Sequence, residues 1–242
     1  GGGGRQLRLG ILSPGAQSEM AAIRGHLSGI NKEQFHITAF VPDAAIDSVS
    51  RGVEDIADAL IPLPVDDIAE AAQMVKQENL DILIAAANIT NIPTFPWTLL
   101  IAQRLARIQA TMHASPLTSG FDTVDLYLNG TLNEGESAQD DYTEDLTLVT
   151  GSSNHYLFVD GVPPPQDIQR SELELPDTGP ILVSGANVFK IGPDLVETWV
   201  SILGTLPDAH LVLYPFNPNW AAQYPQRQSF LKFLRSRLAA AG

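Results

Sequence analysis

Short apolar runs alternate with helically spaced apolar residues through the first third of the chain. The runs predict β-strands at residues 7–12, 35–41, 56–65 and 80–87. Between them, apolar residues three and four positions apart predict helices, at Met20, Ile23, Leu27 and Ile30 and at Ile68, Ala71, Ala72 and Val75. The last run is almost unbroken, which is typical of a central parallel strand covered on both faces. This pattern predicts an α/β fold with a doubly wound sheet, whose sites lie at the carboxyl ends of the strands.

The middle of the chain continues the alternation of predicted strands and helices, and an acidic segment follows. A helix is predicted at residues 97–105, and strands at 108–112 and 124–128 flank the loop 114–120. We expect the acidic segment 131–145 to be a solvated connection with one helical turn. Its acidic residues are Glu134, Glu136, Asp140, Asp141, Glu144 and Asp145. The proline run that begins at Pro163 predicts a stiff linker, because consecutive prolines favour polyproline II.

The α/β pattern restarts after this linker. A strand at 181–183, a loop at 184–192, a helix from Pro193, a strand at 211–214 and a final amphipathic helix follow. This strand-helix-strand-helix order is about half of a Rossmann-type domain, which is marginal for independent folding. The predicted organisation is an N-terminal Rossmann-like domain at residues 5–160, a linker at 161–179 and a partial C-terminal domain at 180–242.

The net charge and the absence of cysteine exclude several classes of function. The 242 residues include 28 acidic and 14 basic side chains, a formal net charge of −14. This charge disfavours nucleic acid and anionic membranes as partners. A phosphate group could therefore bind only where positive charge or hydrogen-bond donors are arranged locally. The absence of cysteine excludes disulfides and thiol catalysis, and the five histidines lack metal-ligand spacing, so no metal is expected. With no membrane-spanning run and no signal sequence, we predict a cytoplasmic protein.

Two loops that follow predicted strands could hold a ligand. The loop before Pro193 opens into a helix N-terminus, whose free amides favour a diphosphate, and Lys190 adds a full positive charge. An ordinary surface lysine explains the same pattern, because the loop matches neither G-x-G-x-x-G nor a P-loop. In the other loop, Thr118 and Ser119 could hold a sugar or could simply form a turn.

Three further polar residues lie beside predicted strands. His113 follows a strand at the end where a Rossmann-like site would use a histidine, although a structural role is the alternative. Asn88 leaves the central strand at its carboxyl end and is a candidate for binding the donor. Asp81 opens the same strand at its amino end, so we expect it to be structural.

Several blocks of residues occur in a recognisable order. They are Arg104-Leu105-Ala106-Arg107-Ile108-Gln109, Ser115-Pro116-Leu117-Thr118-Ser119-Gly120, Val124-Asp125-Leu126-Tyr127, Ala138-Gln139 with Tyr142-Thr143-Glu144, and Asn187-Val188-Phe189-Lys190-Ile191-Gly192-Pro193. In order and separation they resemble motifs of the O-linked N-acetylglucosamine transferase family, the SPINDLY-like group, and especially its bacterial and cyanobacterial members. The resemblance covers most of residues 5–220.

The resemblance implies a GT-B glycosyltransferase that transfers a sugar from a UDP-sugar to a protein side chain without a metal. No cofactor is implied, because the UDP-sugar is a substrate. The resemblance gives Lys190 contact with the diphosphate, Asn187 a role at the same site, and His113 and Thr118 positions near the donor sugar. The role of Lys190 agrees with the residue-level argument, since a cation stabilises the charge that builds on the UDP leaving group.

The chain also departs from the family pattern. Residues 13–20 contain no histidine, and Asn88-Ile89-Thr90 stands where many relatives have G-H-T, so the catalytic base is unassigned. Family members continue into a second half of the C-terminal domain, so we expect a further segment or a protein partner to complete it. The alternative is a non-catalytic module for protein recognition or assembly, and a Rossmann-like binder of a small ligand is a weaker one.

Overall fold

The computed structural model describes residues 5–15, 17–47, 56–89, 95–112, 115–157, 164–186, 190–213 and 226–241. The chain divides into two compact units, Gly1–Pro163 and Pro164–Gly242. None of the helices in the described ranges combines the length and the apolarity that a membrane crossing requires.

A parallel sheet of seven strands forms the N-terminal unit. Its strands are β1 (Leu7–Leu12), β2 (Phe35–Pro42), β3 (Ala59–Leu63), β4 (Ile82–Ala85), β5 (Ile108–Met112), β6 (Leu126–Gly130) and β7 (Asp145–Val149). Their spatial order is β3-β2-β1-β4-β5-β6-β7, and each neighbouring pair is parallel. The chain order reverses between β1 and β4, and open α/β sheets bind ligands at such a switch point.

Helices pack on the sheet where the apolar spacing predicts them. The described α-helices of this unit are α1 (Gln17–Leu27), α2 (Ile68–Gln77) and α3 (Phe95–Ile101). The amide of Glu70 donates to the side chain of Asp67 over 3.0 Å, so Asp67 caps the N-terminus of α2. The predicted apolar face of α2 is buried through Ala71, Ala72 and Val75. α3 ends at Ile101, before the predicted end at residue 105.

The core lies on both faces of the sheet, because successive strand residues point to opposite sides. On one face Ile11 and Ile37 pack with Ile23 of α1. On the other face Phe40 and Leu83 pack with buried residues of α2 and α3. The run at residues 80–87 is therefore apolar because its strand is covered on both sides, as predicted.

The acidic segment 131–145 is only in part a solvated connection. Its predicted helical turn is confirmed as a 3-10 helix at Ala138–Asp141. Glu144, however, is only 2% exposed, and Asp145 begins β7, a strand that the sequence analysis missed. The expectation of a solvated carboxylate at Glu144 is wrong, because the loop that follows β5 covers it with hydrogen-bond donors.

The C-terminal unit contains a smaller α/β arrangement. Its strands β8 (Ile181–Ser184) and β9 (His210–Leu213) are parallel, and its α-helices are α4 (Pro193–Thr205) and α5 (Gln226–Ala241). Val196, Trp199 and Val200 of α4 pack against Leu234 of α5 to form its core. On the two-stranded sheet, Val183 remains 67% exposed.

Candidate functional site

The switch point of the N-terminal sheet has a polar rim. The ends of β1 and β4 lie side by side, since the amide of Ala86 donates to the carbonyl of Leu12 over 2.9 Å. Gly15 turns the chain from β1 towards α1 with a φ of 82°, a conformation that glycine adopts without steric cost. Buried Ser13 and half-buried Asn88 lie at the carboxyl ends of these strands. The predicted donor-binding residue Asn88 is therefore at the edge where a ligand would bind.

Thr118 and Ser119 are bound within the protein, on the carboxylate of Glu144. Thr118 Oγ1 donates to Glu144 Oε2 over 2.6 Å, and the amide of Ser119 donates to Oε1 over 2.7 Å. The hydroxyl of Ser119 donates to the same Oε1, and Thr143 Oγ1 donates to Oε2 over 3.2 Å. Donor binding by Thr118 and Ser119 stays a prediction, and their hydroxyls already have a partner.

This cluster is at the opposite end of the sheet from Asn88. Glu144 directly precedes β7, and the next amide, that of Asp145, donates to the carbonyl of Asp125 over 3.0 Å, just before β6. These contacts mark the amino ends of β6 and β7, whereas Asn88 follows the carboxyl end of β4. The structure therefore does not bring Thr118 or Ser119 together with Asn88.

The Glu144 carboxylate is ionised despite its burial. Burial alone favours the neutral acid, but hydrogen bonds from Ser119 and Thr118 outweigh it and hold the pKa of Glu144 below its usual range. Among the described residues, no lysine, arginine or histidine forms an ion pair with this carboxylate. Within the described part of the chain, its charge is therefore stabilised by hydroxyl and amide donors.

Gln109 and Asp125 hold the end of the same loop that leads into β6. The side-chain amide of Gln109, fully buried, accepts from the amide of Leu105 over 2.6 Å and donates to the carbonyls of Ile101 and Thr123. Asp125 accepts from the amide of Gln109 over 2.7 Å and binds both terminal nitrogens of Arg104. Burial opposes ionisation of Asp125, but these bonds hold its pKa below the usual range. These contacts give Gln109 and Asp125 a structural role in the fold.

Two tyrosines complete the support under this loop. The rings of Tyr127 and Tyr142 lie 4.4 Å apart between centroids. The hydroxyl of Tyr127 donates to the carbonyl of Ser115, and that of Tyr142 donates to Glu134 over 2.7 Å. Burial raises the pKa of Tyr127 to about 12, so the phenol remains a hydrogen-bond donor near neutral pH.

Asp81 organises the amino edge of the central strands. It accepts from the amide of Arg8 over 2.9 Å and from Nη2 of Arg5 over 2.7 Å, and Arg107 Nη1 lies 3.4 Å away. The hydrogen bond from the backbone amide of Arg8, together with the hydrogen bond from Arg5 and the positive charges of Arg5 and Arg107, holds the pKa of Asp81 below its usual value. Burial acts in the opposite direction but is outweighed. This contact set agrees with the structural role that the sequence indicates.

Lys190 stands immediately before α4 in the C-terminal unit, as the sequence predicts. Its side chain is exposed, and it forms no ion pair with another described residue. Gly192 is the N-cap of α4 and offers no side chain to bind the first amides, while Pro193 occupies the first turn. The N-terminus of α4 is therefore not capped by a side chain and follows closely after a lysine in the sequence, a combination suited to an anion.

Two of the predicted site residues, His113 and Asn187, lie outside the described residues. Sequence reasoning missed Glu144, Gln109 and Asp125 as the residues that fasten the loop after β5. In the described part of the chain, no three histidine, aspartate or glutamate side chains are grouped so that they could hold a metal ion.

No protein-family model matches the chain, and neither does any curated protein. Among solved structures, it is similar to a mutant of O-GlcNAc transferase from Thermobaculum terrenum, with a TM-score of 0.69 and 21% identity, covering 96% of this chain and 42% of that chain. A second similar structure is MurG from Acinetobacter baumannii, with a TM-score of 0.45 and 12% identity, covering 97% of this chain and 65% of that chain. A third is a putative UDP-N-acetylglucosamine 2-epimerase from Listeria monocytogenes, with a TM-score of 0.41 and 16% identity, covering 98% of this chain and 66% of that chain.

At this identity the likeness to the Thermobaculum protein is one of fold. This chain spans less than half the length of that protein. The α/β fold class that the sequence predicts is confirmed: the chain has a seven-stranded parallel, Rossmann-like sheet and the fold of GT-B glycosyltransferases.

Proposed function

We propose that this chain is the catalytic region, or part of it, of a protein glycosyltransferase related to the O-linked N-acetylglucosamine transferases. It transfers a sugar, N-acetylglucosamine or a hexose, from a UDP-sugar to a protein side chain without a metal ion. The supporting observation is the GT-B fold over 96% of the chain, together with the sequence blocks that resemble this family.

Lys190 carries the chemical part of the proposal. Transfer leaves a UDP whose diphosphate gains negative charge, and a positive group next to it lowers the energy of the transition state. Lys190 is exposed and is separated from the start of α4 by only two residues, and the uncapped first amides of this helix are hydrogen-bond donors for phosphate oxygens. Because the chain has a net charge of −14, a diphosphate requires such a local site of positive charge and hydrogen-bond donors. Asn187, Asn88 and His113 remain candidates for contacts with the donor.

Calorimetric titration with UDP tests this proposal. We expect Lys190→Ala to weaken UDP binding about tenfold or more, as the loss of a charged hydrogen bond predicts. Lys232→Ala is the matched control, because Lys232 is an exposed lysine in the same unit but on α5. Equal UDP affinity in the wild type and both variants would remove Lys190 from the site. Sugar transfer to peptide, followed by mass spectrometry with and without EDTA, tests the reaction and its independence of metal.

A non-catalytic module for protein recognition is the second candidate. It is favoured by the hydroxyls of Thr118 and Ser119, which are occupied by Glu144, and by the exposed Val183 on the small sheet. Detectable sugar transfer that depends on Lys190 would exclude it. Absence of both UDP binding and transfer, in protein that binds an acceptor peptide, would support it over the transferase.

A further inference from the structure

A cavity of about 140 Å³ lies inside the N-terminal unit, on the face of the sheet that α1 covers. Its floor consists of apolar side chains from β1, β4, β5 and β6, namely Ile11, Ile84, Met112 and Leu128. Ile23 and Leu27 of α1 form its roof. It is distinct from the polar rim at Ser13 and Asn88 and from the Glu144 cluster, neither of which lines it.

The described α-helices of this unit are divided between the two faces of the sheet: α2 and α3 pack on the other face, and α1 packs on this one. Segment 151–157, the bridging segment, also lies against α1. The amide of Leu157 donates to the carbonyl of Ala21 on α1 over 2.8 Å, and the backbone of His155 packs directly on Gly25. The segment is thus held against α1 and spans the space without filling it.

Two polar side chains of the cavity wall, Asn129 and Ser153, already have partners. Ser153 Oγ donates to Asn129 Oδ1 over 2.6 Å, and the same oxygen accepts from the amide of Gly130. The side-chain nitrogen of Asn129 donates to Glu134. A water molecule in a cavity needs two to four polar partners, and apolar cavities of about 150 Å³ stay dry and bind benzene. The apolar lining offers water few hydrogen-bond partners, so an apolar group that displaces water would gain contacts with the lining.

The cavity also has a route to solvent. Val149, at the end of β7, lines it and is 52% exposed, and the lining residue His26 on α1 is exposed as well. A ligand can therefore enter at this side without unfolding of the sheet. The opening is at the end of β7, where the bridging segment leaves the strand.

We propose that this cavity is a binding site for a small uncharged apolar ligand, a monocyclic aromatic or branched aliphatic group of about six or seven heavy atoms. The proposal does not depend on glycosyl transfer, because none of its residues belongs to the proposed diphosphate site. Benzene is the probe of choice, and phenol is the polar counterpart. Since Asn129 and Ser153 are already hydrogen-bonded and the rest of the inner lining is apolar, benzene should bind more tightly than phenol.

Methionine methyl groups report the binding directly. The chain has three methionines, and Met112 lines the cavity, whereas Met74 packs in the core on the other face of the sheet. In protein labelled with ¹³C at the methionine methyl groups, benzene should shift the Met112 signal saturably through its ring current and leave Met74 in place. No shift of Met112 up to the solubility limit of benzene, or equal shifts of Met112 and Met74, would overturn the proposal.

A variant that fills the cavity provides the second test. Ala86 lines the cavity and is buried, so Ala86→Ile should occupy its volume and abolish the benzene shift at Met112. An unchanged Met74 signal would show that the variant is folded. If overpacking prevents folding, the wild-type titration decides alone. Tighter binding of phenol than of benzene would contradict the apolar character of the site.

Discussion

Thr118 Oγ1 donates to Glu144 Oε2 over 2.6 Å, and this bond fastens the loop after β5 to the residue that precedes β7. The described part of that loop contains no helix, so side-chain hydrogen bonds replace the packing that a crossover helix would provide. Glu144 accepts hydrogen bonds from the middle of the loop, and Gln109 donates to the carbonyl of Thr123 near its end. The loop is thus held by buried polar groups whose partners are all in the chain.

Replacement of Glu144 by glutamine tests this arrangement with almost no change in shape. Glu144→Gln keeps one acceptor oxygen but replaces the other with an amide, which cannot accept the hydrogen bonds of Thr118 and Thr143. We expect a loss of about 1–3 kcal/mol in the free energy of unfolding. Urea denaturation followed by circular dichroism measures it.

The neighbouring carboxylate supplies the control for this substitution. Asp145 is exposed, so Asp145→Asn removes one negative charge next to Glu144 without removing a buried acceptor. Its effect should stay within about 0.5 kcal/mol. Equal stability of the two variants would mean that the Glu144 hydrogen bonds contribute nothing net.

Acid should destabilise the N-terminal unit in a defined direction. The folded-state pKa values of Asp81, Asp125 and Glu144 are all below their ordinary values of 3.8 for aspartate and 4.5 for glutamate. The unfolded chain therefore binds protons more tightly. Their contribution to stability is complete above these ordinary values and is lost as pH falls through the lower folded-state values.

The urea midpoint should accordingly be flat near neutral pH and fall between about pH 5 and pH 2. Asp81→Asn should make that fall shallower, because one of the contributing carboxylates is gone, while lowering stability at pH 7. A variant with the same acid slope as the wild type would show that Asp81 does not contribute to it.

The strands of the N-terminal sheet could be predicted because burial on both faces leaves a readable apolar run, as at β4. β7 was missed, although Leu146 and Leu148 alternate with Thr147 and Val149, because the acidic residues before it resemble a solvated connection. The alternation of a strand is present in residues 145–149, but the acidic residues before it favour the interpretation as a solvated loop. β6 begins and ends two residues later than predicted, because hydrogen-bond pairing with the neighbouring strands, and not residue propensity, determines where a strand starts and stops.

The candidate site was predictable only where local sequence decides the geometry. Pro193 and Gly192 fix the start of α4, so the position of Lys190 follows from its neighbours in sequence. The partner of Thr118 does not, since Glu144 is 26 residues away and resembles the other acids of its segment. Only the tertiary fold distinguishes the buried carboxylate from the solvated ones.

Gln109 should be sensitive to the loss of its amide. Gln109→Met preserves the length of the side chain but leaves the amide of Leu105 and the carbonyls of Ile101 and Thr123 without this partner. Unpaired buried groups of this kind cost about 1–3 kcal/mol each, so we expect a loss of more than about 2 kcal/mol in urea denaturation. Gln73→Met on the exposed side of α2 is the control and should be near neutral. Similar midpoints for both variants would rule out a structural role for the Gln109 amide.

Two helical glycines should respond in opposite directions to the same substitution. A Cβ at Gly25 of α1 would lie 1.9 Å from the carbonyl oxygen of His155, a backbone atom that cannot move without shifting the bridging segment. A Cβ at Gly204 of α4 would meet nothing within 4 Å. Alanine is a better helix former than glycine by about 0.5–1 kcal/mol, so Gly204→Ala should stabilise its unit.

Gly25→Ala should instead destabilise, because the steric conflict exceeds the gain in helix propensity. It should also release the segment 151–157, so the amide of Leu157, which donates to Ala21, should exchange its hydrogen faster than in the wild type. Thermal unfolding of both variants, with hydrogen exchange at Leu157, makes the comparison. An increase in stability for Gly25→Ala, or unchanged exchange at Leu157, would mean that the segment does not pack on α1 as described, and the wall of the cavity would have to be assigned to other residues.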